Sequence, residues 1–127
     1  ITQPVFTKEK IREIYEATKH LSTPIYIGVM PLTSIRSSEF LHNEVPGIKL
    51  SEDALERMRA CGEDKERATA EGIQIAKELI DTAAELFNGI YIITPFLRYD
   101  TSLELIRYIK EIDAQKERDH NYVQSTN

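Results

Sequence analysis

The sequence is short of several things, and each shortage excludes something. Its 127 residues contain one cysteine, Cys61, so no disulfide can form within the chain. A reducing compartment, the cytoplasm, is the expected location. Basic residues are not in surplus: 16 Lys and Arg stand against 21 Asp and Glu, a net charge of −5. That balance gives no electrostatic reason to expect nucleic acid or an anionic membrane as partner. No apolar run approaches the roughly 18–20 residues that a membrane span needs. The opening Ile1-Thr2-Gln3-Pro4 shows no basic stretch followed by an apolar one, so no signal peptide is expected. The patterns G-x-G-x-x-G, P-loop, G-x-S-x-G, H-E-x-x-H and C-x-x-C are all missing. Their absence removes the Gly-rich phosphate cradles and close zinc ligand sets.

What is present is a chain of 41% hydrophobic residues, punctuated by Gly and Pro. Residues 1–6 form a short β-prone segment. Pro4 cannot donate to a sheet ladder, so pairing should fade there. Thr7 then offers an N-cap, and Ile11, Ile14, Tyr15 and Thr18 follow at helical spacing. Ile25 to Met30 is a near-continuous apolar run that suits a strand covered on both faces. Residues 32–43 read as a loop leading into a short helix. Ser51 caps a helix with Glu52 and Asp53 in its first turn, and Gly62 is placed to end it.

Residues 64–87 carry the clearest helical pattern. Ala68, Gly72, Ala76, Leu79, Ile80, Ala83 and Phe87 share one stripe, whose small members imply close packing against a neighbour. Residues 90–94 read as a third buried strand, stopped by Pro95. Asp100 or Thr101 caps a last helix. From Ala114 the composition turns polar, and residues 115–127 are expected to be mobile or loosely docked.

Strands alternating with helices predict a parallel sheet with crossover helices. Three strands, near 1–6, 25–30 and 90–94, cannot close a barrel. They would make a narrow sheet with two open edges, so the expectation is part of a larger α/β fold, with 114–127 as a polar tail.

Isolated chemical groups mostly have structural explanations. His20, His42 and His120 are scattered. His42 with Glu39 and Glu44 could be drawn as a metal site, but metal sites need convergent ligands on rigid elements, and no metal is expected. Cys61 lies near a helix C-terminus, the wrong end to activate a thiol. Tyr26 and Tyr91 read as strand packing. The positions of greater interest follow the strands, where βα-folds gather ligands. Gln3, the loop from Met30 to Ser38, and Arg98 occupy such places. An amide can both donate and accept, and a guanidinium can hold an anion through two bonds.

These segments resemble the C-terminal part of methylenetetrahydrofolate reductase. The resemblance rests on residues 1–6, on Gly28-Val29-Met30-Pro31-Leu32-Thr33-Ser34 and on Glu44-Val45-Pro46-Gly47-Ile48. Glu71-Gly72-Ile73-Gln74-Ile75-Ala76 and Ile92-Ile93-Thr94-Pro95-Phe96-Leu97-Arg98 complete it, in order and at similar spacing. Phe40-Leu41-His42-Asn43 before the third segment is most similar to bacterial bifunctional proteins that join a homocysteine S-methyltransferase to the reductase. The match spans about residues 1–112.

The resemblance implies that residues 1–113 are a partial (β/α)8 TIM barrel, its last three βα units, of a flavoprotein of one-carbon metabolism and methionine biosynthesis. Such an oxidoreductase passes a hydride from NAD(P)H through FAD to 5,10-methylenetetrahydrofolate, giving 5-methyltetrahydrofolate. It implies that Gln3 contacts the folate pterin, that Ser37 and Leu41 supply a polar and an apolar ligand contact, and that Arg98 faces the substrate. The family's catalytic Glu and flavin-side Asp belong to strands before these residues. The expectation is a chain that carries part of a folate mouth, holds no cofactor and is inactive alone. The alternatives are a non-catalytic α/β fragment or binding module that self-associates through open sheet edges, or part of another folate-binding βα-barrel.

Overall fold

A computed structural model describes residues 2–87, 89–93 and 99–126. Local chemistry sets where its helices begin. Helix α1 spans Lys8–Thr18, α2 Ile35–Glu44, α3 Glu52–Cys61 and α4 Lys65–Leu86. Each of these four starts behind a short polar residue that takes up a backbone N–H three positions on. Thr7 accepts from Lys10, Ser34 from Ser37, Ser51 from Ala54 and Asp64 from Arg67, at 3.1–3.2 Å. Such caps satisfy donors that the first helical turn leaves without partners. Gly62 closes α3, its N–H donating to Arg59 O.

Strands β1 (Tyr26–Val29) and β2 (Gly89–Ile92) pair in parallel, Tyr26 opposite Gly89 and Val29 opposite Ile92. α2, α3 and α4 fill the crossover between them. The two strands fall where the apolar runs at 25–30 and 90–94 predict them.

The expected fold class is overturned. Among the described residues the chain is mostly helical around a two-stranded parallel sheet, and three βα units of a TIM barrel do not form. The shortfall lies in the first segment, which makes one isolated bridge, Pro4 to Gly28, instead of a strand. Thr2 N–H donates to Tyr26 O and Val5 N–H to Gly28 O, both at 3.0 Å. Between them Pro4 has no N–H to give. The Gly28 N–H goes to the Thr2 side-chain oxygen at 3.0 Å. A threonine hydroxyl has thus taken a donor that a ladder would use.

Each face of this small sheet has its own chemistry. Ile27 and Val29 are fully buried and Ile90 and Ile92 pack against the same core. The alternate positions pair a tyrosine with a glycine across the strands: Tyr26 with Gly89, and Tyr91 with Gly28. A Cβ on Gly28 would come within 2.7 Å of the Tyr91 ring, and one on Gly89 would overlap the Tyr26 ring. The rings therefore lie down over backbone, and the Tyr91 hydroxyl donates to Thr2 O.

α4 is the central element, packed on α1, α3, α5 and both strands. Its buried residues include Ala68, Gly72, Ala76, Leu79, Ile80 and Ala83, the stripe read from the sequence. Gly72 faces the loop after β1 so closely that a Cβ there would overlap the Leu32 carbonyl. Ile11, Ile27, Met58, Ile80 and Leu105 are among the largest fully buried side chains of one continuous core. Each contributes about 1.5–3 kcal/mol by leaving water.

Helix α5 runs Tyr99–Thr126. It begins before Asp100 and Thr101, so the residues expected to cap it lie inside its first turn. It also continues through the polar segment expected to be mobile. Ala114, Gln115, Lys116, Glu117 and Arg118 all favour helix, which lets the register propagate once Leu105 has anchored it. Lys116 Nζ donates to Ala84 O at 2.7 Å, reaching one of the last carbonyls of α4. No described helix is long and apolar enough to cross a membrane.

Candidate functional site

Gln3 is held in place by its neighbours in the chain. Thr2 and Val5 tie the segment to β1, leaving the Gln3 side chain exposed. The loop after α2 comes to meet it. Gly47, at φ +81°, lies so near that a Cβ would sit 3.4 Å from Gln3 Oε1. Both residues line a cavity of about 400 Å³ together with Phe6, Ile14, Ile48 and Lys49. Its rim is of mixed charge: Lys10 pairs with Glu13 at 3.3 Å.

Ser37 and Leu41 do not join Gln3 there; neither lines that cavity. The Ser37 hydroxyl donates to Ser34 O at 3.1 Å and sits 3.1 Å from the Thr33 hydroxyl, inside the turn that starts α2. Leu41, four residues on, packs partly buried against the core. Both have structural work at their positions. Arg98 lies outside the described residues, as do Thr94, Pro95, Phe96 and Leu97.

The drawn metal set disperses. His42 Nδ1 accepts the Leu50 N–H at 3.0 Å, and Glu39 faces Arg59 at 3.6 Å. Among the described residues no group of three His, Cys, Asp or Glu could hold a metal ion. Cys61 is buried, its thiol 3.4 Å from Arg57 O.

Sequence reasoning missed two features. Arg57 gathers acids from two helices: Glu71 at 2.5 Å, Glu78 at 2.8 Å and Asp53 at 3.5 Å. The Glu78 contact is an ion pair without hydrogen-bond alignment. Burial works against the charged guanidinium, but Glu78 and Glu71 outweigh it and hold its pKa above the ordinary value. A cavity of about 470 Å³ lies between α4 and α5, lined by Lys65, Gln74, Lys77, Asp100, Thr101 and Glu104 among others. Lys77 there pairs with Glu104 at 3.2 Å and lies 5.4 Å from the Tyr108 ring centre. The Asp53–Arg57 spacing, i to i+4 on one helix, is a signal visible in sequence. The remaining partners come from different helices, which no spacing rule connects.

Comparison with known proteins found no match among protein-family models, curated proteins or solved structures.

Proposed function

We propose that the chain supplies part of the folate-binding surface of a cytoplasmic flavin-dependent oxidoreductase, which reduces 5,10-methylenetetrahydrofolate with NAD(P)H. The observation that carries this reading is the exposed Gln3 amide beside Gly47 at the edge of a 400 Å³ cavity. Two segments that carry the family resemblance, residues 1–6 and 44–48, meet at that place. A pterin presents donors and acceptors along one ring edge, and an amide side chain can complement both. On this reading the FAD and nicotinamide contacts and the catalytic carboxylates lie outside these residues, so the chain alone is inactive and binds no flavin.

Titration of the purified chain with 5-methyltetrahydrofolate, followed by tyrosine fluorescence, tests the site. Saturable binding that weakens about 5–10-fold in Gln3→Ala is expected, the size of one lost hydrogen bond to a polar ligand edge. Unchanged affinity removes Gln3 from the site, and no binding at all sinks the proposal.

A non-catalytic, self-associating module is a second reading. β2 has only β1 as its sheet partner among the described residues, and Leu103 and Ile106 on α5 are 51% and 40% exposed. Sedimentation across a concentration series separates it: a monomer throughout removes this alternative.

A further inference from the structure

Residues 45–50 join α2 to α3, and through Gly47, Ile48 and Lys49 they form one wall of the Gln3 cavity. Two described hydrogen bonds fix the backbone of residues 46–50. One is internal to the loop, Ile48 N–H to Val45 O at 3.3 Å. The other reaches back to α2, where the Leu50 N–H donates to His42 Nδ1 at 3.0 Å.

Only a neutral ring can make that second bond. An imidazole accepts through the nitrogen that carries no proton, so the His42 proton must sit on Nε2. The imidazolium holds a proton on both nitrogens and accepts nothing. Protonation would therefore set two donors against each other at Leu50.

The surroundings of His42 do not repay that loss. It stands in the last turn of α2, whose C-terminal end favours a cation. Its partner Leu50 lies just ahead of Ser51, the cap of α3, and a helix N-terminus disfavours one. The two ends oppose each other. The charged residues near this contact are Glu39 and Glu44 on α2 and Lys49 in the loop. α3, the helix packed on α2, adds Glu52, Asp53, Glu56, Arg57 and Arg59. Glu39 is drawn to Arg59 at 3.6 Å and Asp53 to Arg57 at 3.5 Å, and no described ion pair includes His42.

We propose that His42 is a pH-operated latch on this loop: neutral, it ties the cavity wall to α2, and protonated, it lets the wall go. The Ile48 and Leu50 side chains are buried, so release loosens the backbone of 46–50 without unfolding the core. The latched state holds one proton fewer, so acid favours release. The latch regulates ligand binding only insofar as the Gln3 cavity is the ligand site, and in that respect it rests on the proposed function.

Amide exchange of the full chain at about pH 7.5 and about pH 5, values that bracket the ordinary histidine range, tests the latch. Each rate is normalised to an unstructured chain at the same pH. Leu50 protection is expected to fall about 5-fold at the lower pH, the size of one hydrogen bond, while core amides of α4 such as Ile80 keep theirs. His42→Asn places an amide oxygen that can accept the same N–H without titrating, and should abolish the fall. A wild-type change of less than about 2-fold, or an equal fall in His42→Asn, overturns the proposal. So does a ring nitrogen NMR spectrum at the higher pH that places the His42 proton on Nδ1, a result that needs no variant. No ligand enters these measurements, so a failure of the latch and a failure of folate binding at Gln3 are read separately.

Discussion

Single side chains here act mainly through partners on other elements. Tyr108 donates to Asp81 at 2.5 Å, and that bond, reinforced by burial, pushes its pKa up to about 12. A raised pKa means that the folded state favours the neutral phenol. The resulting stabilisation is complete below about pH 10, the ordinary tyrosine value, and is lost as pH climbs through about 12. In a phenolate absorbance titration, one of the six tyrosines should ionise near 12. Asp81→Asn should return it towards 10. Arg57 is the complementary case. It is three-quarters buried, and removing it would leave Glu71, Glu78 and Asp53 facing one another. Arg57→Met should cost about 2 kcal/mol in urea unfolding, less than a fully buried pair would lose because water reaches the acids. A cost below a few tenths of that would mean that the carboxylates relax into solvent.

Among the elements, α4 organises the rest, and its close approach to the loop after β1 depends on one missing atom. Gly72→Ala ought to help the helix by about 1 kcal/mol on propensity alone. The overlap with the Leu32 carbonyl acts the other way, and backbone cannot rotate aside as a side chain would. Overpacking of that kind costs about 1–3 kcal/mol or more. Net destabilisation of about 2 kcal/mol is therefore expected, measured as a lower urea midpoint. A gain in stability would show that α4 can move off the loop. α5 depends on a different device. Lys116 supplies to the end of α4 both a hydrogen bond and the positive charge that its own last turn lacks. Lys116→Met should cost about 0.5–1 kcal/mol and speed amide exchange in residues near Lys116.

For the molecule as a whole, one core runs from Val5 to Leu105, so unfolding should be a single transition with circular dichroism and tyrosine fluorescence coinciding. The proposed function adds a direct expectation: the purified chain is colourless and shows no reductase activity. A stoichiometric flavin absorbance band would contradict the proposal that flavin contacts lie elsewhere.

The helix starts at Thr7 and Ser51, the Gly62 stop, the α4 stripe and the two strands were legible in sequence because each rests on neighbours within a turn or on strict periodicity. Gln3 was legible as a polar residue in an extended segment where βα-folds gather ligands, and its closeness to Gly47 was not, since that contact joins distant parts of the chain. The first of the three expected strands, residues 1–6, was misread for a local reason with a tertiary partner. Pro4 flagged weak pairing, yet only the fold reveals that the Thr2 hydroxyl captures the Gly28 N–H. The resemblance implied a polar and an apolar ligand contact at Ser37 and Leu41; in the structure the first lies in the α2 turn and the second packs against the core.

The abundance of acids over bases, the lone cysteine and the absence of a long apolar run are properties of composition, and no fold could change them. Caps and periodic stripes also belonged to the sequence, because helix formation is governed over a few residues. The size of the sheet, the fate of the polar segment after Ala114, and which charges meet Arg57 were decided only by tertiary structure. Each depends on groups far apart in the chain competing for the same donor, carbonyl or charge.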